Sequence, residues 1–167
     1  SMPTWYGGWN NTVSYKNFDL NVFFRFSGGN KIMNASRQSA LFNMDFSNNG
    51  TEILGRWISP EQPGDGMTPK IGYGDASSLF NDGYTDSHFV ESGNYLKLST
   101  LALGYTLPKA VVSKLNMTKI RFYVQGQNLL TITGYSGLDP ETNSRLGVDW
   151  NGMPQQRSFT FGANITF

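Results

Sequence analysis

With 167 residues the chain is long enough for one ordinary domain. A formal net charge of +1, 15% charged residues and no basic run give no electrostatic footing for nucleic acid, and the lack of cysteine excludes disulfide frameworks and thiolate metal sites. A mean hydropathy of −0.37 and no apolar run approaching about twenty residues exclude membrane-spanning helices, whereas 14% aromatics and 19 glycines suit β-structure, including barrels in which only alternate residues face lipid.

Residues 4–15 read as a first strand with Trp5, Trp9, Val13 and Tyr15 on one face. Gly7 on that face and Gly8 beside it point to a bend or a close approach. Lys16-Asn17 is a tight polar turn, and residues 18–27 then set Phe18, Leu20, Val22, Phe24 and Phe26 against Asp19, Asn21, Arg25 and Ser27. The two runs make a hairpin. From Gly28 to about Glu91 the alternation gives way to Gly, Asn, Ser, Asp and Pro, with a short helix near residues 34–43. Loops of that length are usually functional.

Residues 95–107 form a third strand whose phase slips: Leu96 and Leu98 are apolar at even positions, then Leu101, Leu103, Tyr105 and Leu107 at odd ones. A β-bulge near Ser99-Thr100 reconciles the two halves; the alternative sets Leu96 and Leu98 above a membrane, where phase is free. After a short connection of helical character at 108–117, residues 119–130 turn Ile120, Phe122 and Val124 one way and Arg121, Tyr123, Gln125 and Gln127 the other. A second long loop, 131–156, precedes the last run, 157–167. There Phe159, Phe161, Ala163, Ile165 and Phe167 alternate with Ser158, Thr160, Gly162, Asn164 and Thr166.

Connections that run short, long, short, long are those of an up-and-down membrane barrel with its short turns in the periplasm. Tyr15, Phe18, Tyr105 and Phe167 then gather at the inner interface as an aromatic girdle. Five strands cannot close, so the expected fold is all-β: an antiparallel up-and-down transmembrane β-barrel segment spanning residues 1–167, part of something larger. No leader is visible, as in a mature chain or a fragment, and Ser1-Met2, read as a remnant of cloning, favours the fragment.

The hairpin from Gly8 through Asn10-Asn11, Tyr15-Lys16 and Phe18-Asp19-Leu20 resembles that of SusC/RagA-type TonB-linked outer-membrane proteins. Arg56-Trp57 with Pro60, the run from Phe89 to Leu98 continuing through Leu103 to Pro108, Val124 to Leu130 with Tyr135 to Glu141, and Arg157 to Phe167 are similar to further segments of that family, in the family's order. The resemblance implies the C-terminal part of a barrel of roughly 22 strands around an N-terminal plug. It further implies import of glycans or oligopeptides in Bacteroidetes, driven by TonB through the plug and assisted by a SusD-type surface lipoprotein. The expected location is the cell outer membrane, with lipid as a partner.

Within that frame Phe159, Phe161, Ile165 and Phe167 resemble the signal read by the barrel-assembly machinery, which pairs with a strand edge by β-augmentation; otherwise they are simply lipid-facing. Trp57, Tyr73, Tyr84 and Trp150, with Phe80, fall in outer loops, where they contact a glycan or peptide ligand or the lipoprotein lid, or else pack the loops. Asp139, Glu141 and Asp149 are carboxylates near turns that suit calcium, but no EF-hand spacing accompanies them, so no metal and no cofactor are expected. Asp19 and Arg25 are expected to face the lumen and pair with neighbours, and His88 has no triad or metal partner in view. No catalytic residue is expected, since transport is not chemistry on a substrate. The alternatives are a soluble all-β carbohydrate-binding module using the loop tryptophans and a porin-like barrel without a plug.

Overall fold

The computed structural model describes residues 2–42, 48–70, 87–141 and 147–167. In chain order its elements are β1 (Trp5–Tyr15), β2 (Phe18–Gly28), β3 (Lys31–Asn34), α1 (Ala35–Phe42), β4 (Val90–Ser92), β5 (Tyr95–Thr106), α2 (Lys109–Val112), β6 (Lys119–Thr133), β7 (Val148–Asp149) and β8 (Ser158–Thr166). Short 3₁₀ turns occupy Thr51–Gly55, Ser87–Phe89 and Ser113–Leu115.

The five long strands form one sheet in the order β1-β2-β5-β6-β8, every neighbouring pair antiparallel. β1 and β2 turn on Lys16, whose φ of 54° lies in the left-handed region that a primed hairpin turn needs at its first central residue. At the same end of the sheet Pro108 opens α2, and Asn116 closes the following 3₁₀ turn at φ 53°. Two short connections therefore share one end, and the long ones share the other.

The registers explain how one face stays apolar. Trp9 pairs with Phe24, Phe24 with Leu98 and Leu98 with Leu130; lower down Leu20 pairs with Leu103, Leu103 with Val124 and Val124 with Phe161. Directly opposed residues of antiparallel strands share a face. Between these two rows β5 changes phase: Phe23 faces Thr100 but Phe24 faces Leu98, so Ser99 is the extra residue of a bulge. On the other side of β5, Leu98 meets Leu130 while Thr100 meets Gln127, with Asn128 at φ 53°. The bulge expected at Ser99-Thr100 is present, and it keeps Leu96 and Leu98 on the apolar face.

That face is uncovered among the described residues. Phe161 is 79% exposed and Phe159, Phe122, Leu103, Trp9, Phe18 and Tyr15 are all exposed. Trp9 stacks on Phe24 at 5.8 Å, and Phe18 leans on Tyr105 at 4.7 Å. Gly7 admits the Phe26 ring, which lies 2.8 Å from where a Cβ would stand, so the close approach expected there is real. A contiguous apolar surface across five strands is far beyond what a soluble monomer carries. No helix among the described residues is long and apolar enough to cross a membrane.

The residues 28–91 are less featureless than their composition implies. β3 pairs antiparallel with β4 and parallel with β7, giving a second, three-stranded sheet at the long-connection end. Met33 and Phe89 are its buried centre, with Ile53 and Val148 packed against them. The expected helix near 34–43 is α1. Strand β6 runs to Thr133, beyond the expected end at 130.

Candidate functional site

One asparagine joins the second sheet, the helix and the loops. Asn34 ends β3 and caps α1: its Oδ1 accepts from Arg37 N at 2.9 Å, while Nδ2 donates to Glu91 Oε1 at 3.2 Å and Ser136 Oγ at 3.1 Å. Ser136 in turn donates through N and Oγ to Glu91, at 2.8 and 2.7 Å. Burial pushes the Glu91 carboxyl up, but the bonds from Ser136 and Asn34 and the nearby Arg37 charge outweigh it and leave it below the usual carboxylate range. Arg37 also forks onto Glu52, with Nε 2.9 Å from Oε2 and Nη2 on Oε1. The hydrogen bond from Arg37 holds the Glu52 carboxyl below its ordinary value against the opposing effect of burial.

Over this frame opens a cleft of about 580 Å³, within the usual range for small-ligand sites. The first turn of α1 forms one wall, Ser136 to Leu138 a second, and Asp149 to Gly152 the third. At its base the buried Asp149 accepts from Tyr135 Oη at 2.6 Å and from Gly152 N at 3.2 Å. Burial, and then the bond to Asp149, push the Tyr135 hydroxyl well above its ordinary pKa, so it remains a donor. Ser36 Oγ donates to the Asp149 carbonyl at 3.4 Å, closing α1 onto the third wall. Trp150, 76% exposed, offers its indole at the rim. Hydroxyl and amide groups beside an open aromatic face can bind a ring by stacking and orient it by hydrogen bonds.

Below the cleft, the polar face of the large sheet carries two ionic groups. Near the short turns Arg121 binds Asp19 through two parallel bonds, 2.9 and 2.5 Å. Near the cleft Lys97 of β5 reaches Asp139 at 3.2 Å and Glu141, which also receives Arg25 Nη2 at 2.8 Å and Tyr95 Oη at 2.7 Å.

No protein-family profile matches the chain. Over 175 residues it is 33% identical to TonB-dependent receptor P3 of Formosa agariphila, covering 99% of this chain and 16% of that relative. It is 26% identical over 176 residues to TonB-dependent receptor SusC of Bacteroides thetaiotaomicron, covering 96% of this chain and 15% of that one. The fold matches the RagAB peptide importer in its 'closed-closed' state with a TM-score of 0.84 and 27% identity, over 99% of this chain and 17% of that one. The chain belongs to the SusC/RagA-type TonB-dependent receptors. It spans about a sixth of the length of these relatives, 16% of the first and 17% of the RagAB chain.

As part of a SusC/RagA-type barrel the sheet needs no second layer, which is why its apolar face stays open. Of the loop aromatics, Trp150 lines the cleft, whereas Trp57 is not among its lining residues and carries Lys70 Nζ 5.8 Å above its ring. Tyr73, Phe80 and Tyr84 lie outside the described residues. Phe159, Phe161 and Ile165 line the apolar face of β8, an outer strand of the sheet, and Phe167 follows it. Asp19 and Arg25 pair with Arg121 and Glu141. Asp139 and Glu141 serve Lys97 while Asp149 serves Tyr135, and the described residues hold no three-acid cluster that fits a metal. His88 has neighbours the sequence did not suggest: Glu52 Oε1 at 3.6 Å and Arg37 Nη2 at 3.3 Å.

Lys97, Asn34, Glu91 and Tyr135 were not singled out from sequence. Asn34 had a readable signal, since asparagine just before a helical run is a cap residue. Lys97, a cation between Leu96 and Leu98, gave the phase of its strand but nothing of its distant partners.

Proposed function

We propose that this chain supplies the C-terminal strands of an outer-membrane TonB-dependent importer of glycans or oligopeptides, with β8 and Phe167 as the segment recognised by the barrel-assembly machinery. The observation that carries the reading is the apolar face kept continuous through the Ser99 bulge across all five strands, opposite a face holding the ion pairs. A surface of that kind is a lipid contact on one side and a watery lumen wall on the other. The long-connection end then faces outward, so the cleft with Trp150 meets incoming substrate or a SusD-type lipoprotein, and TonB acts through a plug elsewhere in the receptor. Passage of the substrate is the activity, and no residue is assigned to catalysis. Both substrate classes stay in the proposal, because one relative is named a peptide importer and an indole stacks on sugars and on peptide side chains alike.

The test is to fold the whole receptor that contains this chain into lipid vesicles and compare its electrophoretic mobility with and without heating. A heat-sensitive compact band that needs lipid or detergent supports the reading, and a folded monomer in plain buffer overturns it. For the cleft, Trp150→Ala in the receptor lowers uptake several-fold while Trp57→Ala does so less; equal effects remove the cleft from the proposal.

A further inference from the structure

Lys97 stands in the polar set of β5, and its side chain is only 1% exposed. A buried ammonium needs carboxylates that repay its lost hydration. Here the partners come from outside the wall. Arg25, Tyr95 and Lys97 belong to strands β2 and β5, whereas Asp139 and Glu141 belong to the connection after β6. Among the described residues two cations face two carboxylates. Asp139 does more than bind Lys97: its Oδ1 accepts from Glu141 N at 3.0 Å and its Oδ2 from Gln155 N at 3.3 Å. One carboxylate therefore fastens the outgoing and returning limbs of the connection to each other and to the wall.

The wall has a backbone ladder of its own through β2, β5 and β6, which does not depend on this group. The limb from Tyr135 to Glu141 belongs to no strand. Its hold on the wall at this point is made of side chains. Ser136, Gly137 and Leu138, a wall of the cleft, lie on that limb immediately before Asp139.

We propose that Lys97 is a positioning residue for the cleft: a buried charge latch by which the barrel wall fixes the limb 135–141, and with it the spacing between Ser136–Leu138 and Trp150. This rests on the reading of the chain as part of a receptor barrel. The latch orders the connection and is dispensable for the sheet.

Hydrogen exchange followed by mass spectrometry on the whole receptor in detergent tests it. In Lys97→Met, amides of 135–141 and 150–155 exchange at least about tenfold faster, while those of β6 and β8 keep their wild-type rates. Because Lys97→Met takes a cation from the buried Asp139 and leaves Glu141 with Arg25, Asp139→Asn attacks the latch from the loop side with β5 intact, and the same peptides loosen. Asp19→Asn, which breaks the other ion pair of the polar face, leaves them unchanged. Wild-type loop protection in both latch variants overturns the proposal. So does equal loosening of strands and loop, or loosening of the loop by Asp19→Asn. A wild-type receptor without a heat-sensitive compact band defeats the barrel reading instead, independently of how the loop exchanges.

Discussion

Gly104 shows how much a single missing Cβ can settle. It pairs with Asp19 on one side and Tyr123 on the other, and Arg121 crosses it to reach Asp19. A Cβ there would stand 2.3 Å from Arg121 Nη2 and 2.5 Å from Asp19 Oδ1. Gly104→Ala therefore costs about 1–3 kcal/mol through overpacking, measured by urea unfolding in vesicles. In an Arg121→Met background, which removes the guanidinium and frees the Asp19 carboxylate to turn away, most of the penalty disappears; an unchanged penalty would show that the crowding has another source. The outer frame makes a different residue-level prediction, in pH. Glu52 and Glu91 are both held below their ordinary value of 4.5, so each contributes stability that is complete above that value and lost as pH falls through the lowered one. Amide protection in β3 and α1 should stay flat from about pH 5 to 8 and decline only on acidification below about 4.5. A decline centred near neutrality would show that these two carboxylates do not control the frame.

At the scale of elements the bulge in β5 carries the most information. Deleting Ser99 would join the two phases, sending Leu96 and Leu98 to the polar face and Tyr95 and Lys97 to the apolar one, because a one-residue slip exchanges faces. The deletion should abolish the compact heat-sensitive band. Ser99→Ala should be tolerated or gain up to about 1 kcal/mol, since the Ser99 hydroxyl is buried without a hydrogen-bond partner among the described residues. The long strands and this bulge were legible because alternation over 9 to 15 residues leaves little choice of face, and a slip of phase within it has few remedies. The second sheet was not. Strands of four, three and two residues carry no alternation, and β3 finds β4 and β7 by backbone pairing between distant parts of the chain, with Asn34 and Glu91 meeting Ser136 beside them. Of the cleft, the exposed Trp150 could be read as a loop aromatic. The burial of Lys97 could not, because the acids that permit it lie 42 positions and more along the chain.

For the whole molecule, the two faces of the large sheet make opposite demands on the same substitution. On the barrel reading Phe161→Arg places a cation in lipid and costs about 2–4 kcal/mol near mid-membrane, whereas Thr160→Arg points into the lumen and is mild. Folding yields in vesicles of matched lipid compare them, and equal losses would reverse the facing. The buried apolar side chains of the described residues are few: Ile32, Met33, Ala35, Phe89, Val112, Ile120 and Tyr135. Most of them lie in or beside the small sheet rather than under the large one. On the barrel reading the sheet takes its apolar stabilisation from a bilayer, and the outer assembly takes its own from water. The consequence is thermal. Exposing that small core to water raises the heat capacity, while melting strands within lipid does so far less, so the outer assembly should melt first, along a curved stability profile, above a scaffold whose own transition follows the lipid.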